Sequence, residues 1–225
     1  MTTDIVPFAN NLPALPSDDH FSQKIGAADY LGYIILHASQ GKYSGPDFKI
    51  SGGSFVYVNN NEPVDLGESV DVALLTYRML AMRYGGESNE RIYDVNDPKF
   101  DEFCAKAKIN DYQDKDGSRY YWGVEYLIYE YGSEKFCTLY CNNKTLQRLA
   151  KEKLHDYMRA RKVCTLTSTY IDNKKHKWWG ALATDCSVAH APFDEEEAIR
   201  RINEFNNPTV IKEEETGTPA GQENL

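Results

Sequence analysis

Hydrophobic and polar positions alternate most clearly in the second half of the chain. Residues 121–131 (YWGVEYLIYEY) are rich in aromatic and β-branched side chains and end at Gly132-Ser133, a turn signal. Residues 136–141 (FCTLYC) supply the matching hairpin strand. The period then changes. Leu146, Leu149, Ala150, Leu154, Tyr157 and Met158 recur at spacings of three and four, which predicts a helix with one apolar face after an Asn143 N-cap. A second hairpin, 163–171 and 178–184, flanks the polar turn DNKKHK. Pro192 introduces a last helix over 194–205, with Ala198, Ile199, Ile202 and Phe205 facing inward.

The first half is less regular. Residues 48–58 (FKISGGSFVYV) read as a strand with a bulge or sharp bend at Gly52-Gly53. Residues 70–77 begin another strand, whose continuation to 86 fits strand or helix. Residues 86–119 form a long polar excursion with a short helix near 100–108, and such long connections are usually functional or mobile. The expected organisation is an N-terminal arm (1–24), one β-rich domain (25–206) and a disordered acidic tail (207–225). The fold class is α+β. Its element order suits an OB-like Greek-key barrel, which has three strands, a helix and two strands, although six strands are one too many. A generic α+β sheet with one covering helix fits almost as well.

Composition is that of a globular protein, with 41% hydrophobic and 26% charged residues. No apolar run reaches the roughly 20 residues of a membrane helix. The N-terminus lacks a secretory pattern, so the five cysteines read as reduced thiols in a cytoplasm. The net charge of −9 excludes a uniformly basic protein, yet the charge is segregated. Residues 142–182 hold ten bases and three acids, while 194–225 hold nine acids and three bases.

That basic stretch carries the candidate chemistry. Lys144, Arg148, Lys151 and Arg159 lie off the apolar helix stripe, a pattern that suits an ordinary solvated face equally well. Lys174, Lys175 and Lys177 crowd a turn just before Trp178 and Trp179. Neighbouring strand residues face opposite ways, so one tryptophan enters the core and the other is left outside. An exposed ring beside lysines is the pairing that single-strand binders use, because bases stack on the ring and cations track phosphates. Tyr121 and Tyr129, on the less apolar face of their strand, are candidate stacking platforms or ordinary cross-strand pairs. Cys137 and Cys141 would stand about 13 Å apart in a strand, too far to share a zinc ion, so no metal is expected there. Asp114-Lys115-Asp116-Gly117 lacks the flanking carboxylates of a calcium loop and reads as a turn. No phosphate-cradling glycine loop appears and the five histidines have no acid at motif spacing. A non-enzymatic protein without cofactor is the expectation.

The segment WGVEYLIYEYGSEKFCTLYCNNKTLQRLA and the later run VCTLTSTYIDNKKHKWWGALAT, with a short helix and acidic end after it, resemble bacteriophage single-stranded-DNA-binding proteins of the OB type. The similarity covers roughly residues 120–206. It implies an OB-like barrel, sequence-tolerant binding of single-stranded DNA and a role in phage DNA replication or recombination. An acidic tail on a basic domain can compete for the nucleic-acid groove and serve as bait for replication or recombination proteins, but the last residues, QENL, lack the terminal aromatic that many such tails carry. Self-association into a homo-oligomer is left open. The alternative is a phage accessory or inhibitory protein that binds a host protein through its aromatic surface.

Overall fold

The segment from Ser69 to Tyr84, rich in Val, Leu and Met, forms one uninterrupted 16-residue strand around which the rest is arranged. The computed structural model describes Leu12, Leu31 and residues 33–36, 42–44, 49–59, 62–85, 89–142, 146–172, 174 and 177–206, in places by backbone alone. In chain order the elements are β1 (Tyr33–Leu36), β2 (Lys42–Ser44), β3 (Lys49–Ser51), β4 (Phe55–Asn59), β5 (Glu62–Gly67), β6 (Ser69–Tyr84) and β7 (Glu90–Ile92). There follow α1 (Pro98–Lys108), β8 (Arg119–Glu130), β9 (Lys135–Asn142), α2 (Leu146–Ala160), β10 (Cys164–Asp172), β11 (Lys177–Asp185) and α3 (Glu195–Asn206). The chain is α+β and strand-rich. Among the described residues, nine strands make one mixed sheet in the order β11-β10-β6-β8-β9-β1-β4-β5, with β7 also on β6 and β2-β3 as a separate ribbon.

The sheet is open along this path, because β1 pairs in parallel with β9 and occupies the edge through which a barrel would close. The two ends nevertheless approach one another through side chains. The ring of Trp179 on β11 lies against Gly53 in the turn before β4. The 86–119 segment is less of an excursion than its polarity suggests, since it contributes β7 and α1. Asp97 caps α1 by accepting a 2.8 Å bond from Lys99 N, and Pro98 opens its first turn. The sequence 114–117 is a turn, as read, with Gly117 at φ +89° and its amide donating to Asp114 O at 3.0 Å.

Both faces of the sheet are covered. On one, Val72 and Leu74 of β6, Tyr126 and Ile128 of β8 and Leu139 of β9 bury themselves under Leu154 and Met158 of α2. Burying each such side chain stabilises the fold by about 1.5–3 kcal/mol. α1 extends that cover along the β6–β8 ribbon through Phe100 and Phe103. A register shift between Leu74 and Thr76 puts an extra residue, Leu75, on the opposite face. There, Ala73, Leu75 and Leu127 meet Ala198, Ile202 and Phe205 of α3, so the inward face expected of this helix is the one it buries. Leu12, from the expected arm, is buried in the same cluster, and its carbonyl accepts a 2.8 Å bond from Arg161 Nη2. Residues 207–225 lie outside the described residues.

A candidate nucleic-acid interface at the β10–β11 tip

β10 and β11 pair over nine residues, but β6 supports only Cys164 to Thr167 of β10. Past Thr167 the hairpin is no longer paired with β6, and it ends in the basic turn. Lys174 adopts a left-handed conformation (φ +71°) there, and its amide donates to Asp172 Oδ1 at 2.8 Å, which fixes the bend. Lys177 pairs with Asp172 at 3.0 Å with half its side chain exposed, a contact that water and salt screen readily. Lys175 lies outside the described residues. Trp178 sits in β11 opposite Ile171, its side chain outside what is described.

Trp179 is the tryptophan that turns to the core, as alternation requires of one of the pair. It is half-buried against the main hydrophobic cluster, its six-membered ring over Gly53. Beside it stands Tyr170, whose ring meets Trp179 edge-on with centroids 5.2 Å apart and remains 45% exposed. Reading the sequence missed Tyr170. The signal was present in the alternation of β10, but that β10 is unpaired with β6 past Thr167, and that Tyr170 stays uncovered, is visible only in three dimensions.

The other predicted residues are dispersed. Lys144 lies outside the described residues, and Arg148 and Lys151 are placed on α2 by backbone alone. Arg159 is exposed and pairs with Asp156 at 3.3 Å. It belongs to the turn of α2 that carries Tyr157, whose hydroxyl donates to Asp185 Oδ1 at 3.1 Å. That is the end of β11 remote from the basic turn, about 26 Å away at ~3.3 Å per residue. The structure therefore does not join Arg159 to the hairpin tip. Tyr121, half-buried on β8, pairs with Met82. Tyr129 is taken up by packing, with the rings of Tyr131, Phe136 and Phe193 each 5.0 Å from its own. Phe193, just before α3, covers the face that alternation alone would have left open.

Cys137, Cys141 and Cys164 are buried thiols whose pKa values burial pushes well up, which leaves them unreactive. Cys186 differs. It lies with His190 and Asp71 in a group whose ligand atoms are all within 4.8 Å of one another. The sequence reading overlooked these three, although Cys186-x-x-x-His190 is a spacing that ligands on one loop can use. No helix among the described residues is long and apolar enough to cross a membrane.

No known protein family, characterised protein or solved structure matches this chain.

Proposed function

We propose that the chain binds single-stranded DNA without strong sequence preference, through the tip of the β10–β11 hairpin, in support of phage DNA replication or recombination. The observation that carries this reading is the strand order. From one end of the sheet it runs β11-β10-β6-β8-β9, with α2 between β9 and β10. Counting β6 as the first strand, this order supports the reading because it agrees with the 5-4-1-2-3 order expected of an OB-type Greek key, with a helix between the third and fourth strands. β1, β4 and β5 are then an addition to the edge of that unit, and β4 carries the end of the surplus strand expected over 48–58. In OB domains the loop between strands four and five is among those that hold oligonucleotides. Here that loop is the lysine-bearing turn.

On this reading Lys174, Lys175 and Lys177 contact phosphates, and the rings at the tip stack with bases. Trp179 supports Tyr170 from behind instead of meeting a base itself. The acidic residues 213–215 compete with the strand for the basic turn. No step of this role requires catalysis or a cofactor. Replacing Tyr170 by Ala should weaken binding of a labelled oligonucleotide by about 1–3 kcal/mol, the usual worth of one stacked base, while Tyr170→Phe keeps it. The melting temperature should fall by only a few degrees, because Tyr170 is 45% exposed and loses a single edge contact with Trp179. Equal affinity in Tyr170→Ala and the parent would remove this ring from the interface.

A further inference from the structure

Asp71 lies near the start of β6, where β10 runs alongside it. Thr165 Oγ1 donates to Asp71 Oδ1 at 2.5 Å and so orients the carboxylate. The other oxygen, Oδ2, is 2.8 Å from His190 Nε2. After β11 the chain folds back and sets Cys186 Sγ 3.5 Å from the same nitrogen. The imidazole plane is held by Tyr131, stacked on it with centroids 4.2 Å apart and 24° between the planes. Burial pushes the Asp71 carboxyl up, but hydrogen bonds from Thr165, His190 and Cys186 together outweigh it, and its pKa falls below the ordinary 3.8.

A cysteine, a histidine and an aspartate invite comparison with a hydrolytic triad, and the geometry rejects it. A triad uses both ring nitrogens of the histidine, one toward the nucleophile and one toward the acid. Here a single nitrogen faces both partners. Convergence of three different donor atoms on one point is instead what a small cation of intermediate softness requires. Tetrahedral zinc binds imidazole nitrogen, carboxylate oxygen and thiolate sulfur at about 2.0–2.3 Å, which separates neighbouring ligand atoms by roughly 3.3–3.7 Å. The observed 3.5 Å fits, and the 2.8 Å contact needs to open by only about half an ångström. Carboxylate and thiolate together would neutralise the doubly charged ion. The Thr165 contact is the outer-shell support that metal-bound carboxylates normally have.

We propose that Asp71, Cys186 and His190 bind one zinc-class divalent cation, which ties the connection between β11 and α3 to β6. Three protein ligands leave a fourth position open. A cavity of about 420 Å³, lined by Asp71 and His190 together with Ser69, Glu130, Tyr131 and Gly132, adjoins two of the three ligands and gives water access to them. The cation site depends on this geometry alone and stands or falls separately from nucleic-acid binding.

The test is a cobalt(II) titration of the reduced full-length protein, followed by displacement with zinc. One equivalent should produce the intense visible bands of a tetrahedral ion and a thiolate-to-cobalt charge-transfer band. Cys186→Ser should abolish the charge-transfer band, and Cys104→Ser, at the other half-exposed thiol, should leave it intact. Thr165→Val should weaken binding by roughly 10–100-fold. Alkylation of the unaltered protein gives an independent readout, in which zinc protects Cys186 and not Cys104. No bands and no protection would overturn the proposal, as would a charge-transfer band that survives Cys186→Ser or disappears in Cys104→Ser. Should a variant fail to fold, the alkylation pattern of the unaltered chain decides.

Discussion

Arg78→Met should destabilise the protein by about 3–5 kcal/mol, because it leaves a buried carboxylate without its partner. Arg78 is 8% exposed and Glu125, its partner on the adjacent strand, 4%. Its Nε donates to Glu125 Oε2 at 2.7 Å and its Nη1 to the carbonyl of Phe205 at 2.9 Å, in the last turn of α3. The guanidinium also lies between the rings of Tyr93 and Phe205, 3.7 and 4.0 Å from their centroids. One side chain thus neutralises a buried carboxylate, satisfies a helix-end carbonyl and fills the space between two rings. Lysine could not replace it, since a point charge lacks the planar fork. Removing Arg78 strands the Glu125 charge in a nonpolar setting, whereas removing both partners does not. The double variant Arg78→Met/Glu125→Leu should therefore recover most of the loss, as buried ion pairs commonly do when replaced together. Chemical denaturation of the two variants measures the difference. A loss under about 1 kcal/mol in Arg78→Met would mean that water reaches Glu125.

Gly53→Val should be comparably damaging. Gly53 has φ +97°, a conformation that residues with a side chain rarely adopt, at a cost of about 1–3 kcal/mol. A Cβ there would come within 2.9 Å of two Trp179 ring carbons and 3.0 Å of a third. The ring cannot step aside freely, being braced by Tyr170 and the core, so overpacking adds a further ~1–3 kcal/mol. Gly67 provides the control, with φ +80° and nothing within 4 Å of where an alanine methyl would stand. Gly67→Ala bears the backbone strain without the collision. The difference in melting temperature between Gly53→Ala and Gly67→Ala isolates the contact that joins the two ends of the sheet. Equal losses would mean that Trp179 does not hold those ends together.

The parts of the fold that sequence revealed are those with local causes. The β8–β9 hairpin carries its aromatic alternation and its turn within a few residues, and α2 and α3 carry their faces in their spacing. β6 was ambiguous beyond Tyr77 because the extra residue at Leu75 breaks the alternation that a strand reading depends on. β1 is four residues long and its partner on one side is β9, about a hundred residues further along, so nothing local announces that pairing. Alternation also states which residues share a face, not whether another element covers it. Tyr129 looked exposed until Phe193 and α3 were placed over it. The Arg78–Glu125 pair and the Asp71, Cys186 and His190 group were hidden for a related reason, since each unites side chains far apart in sequence. At the hairpin tip, the crowding of lysines before two tryptophans was legible. The exposure of Tyr170 beyond the end of β6 pairing was not.

The central claim is that this tip holds a single strand by its phosphates, and the salt dependence of binding measures that most directly. Each phosphate neutralised on a single strand contributes about 0.7 to the slope of log affinity against log salt. Anisotropy titrations of a labelled oligonucleotide, across a series of salt concentrations, should give a steep slope for the parent protein. The variant with Lys174, Lys175 and Lys177 all changed to Gln should show a slope flatter by roughly two, weaker binding to every sequence alike and an unchanged melting temperature. A parent that binds with the same slope as the triple variant would contradict this site. A parent that binds no single strand would contradict the function itself and favour a host-protein partner for the aromatic surface.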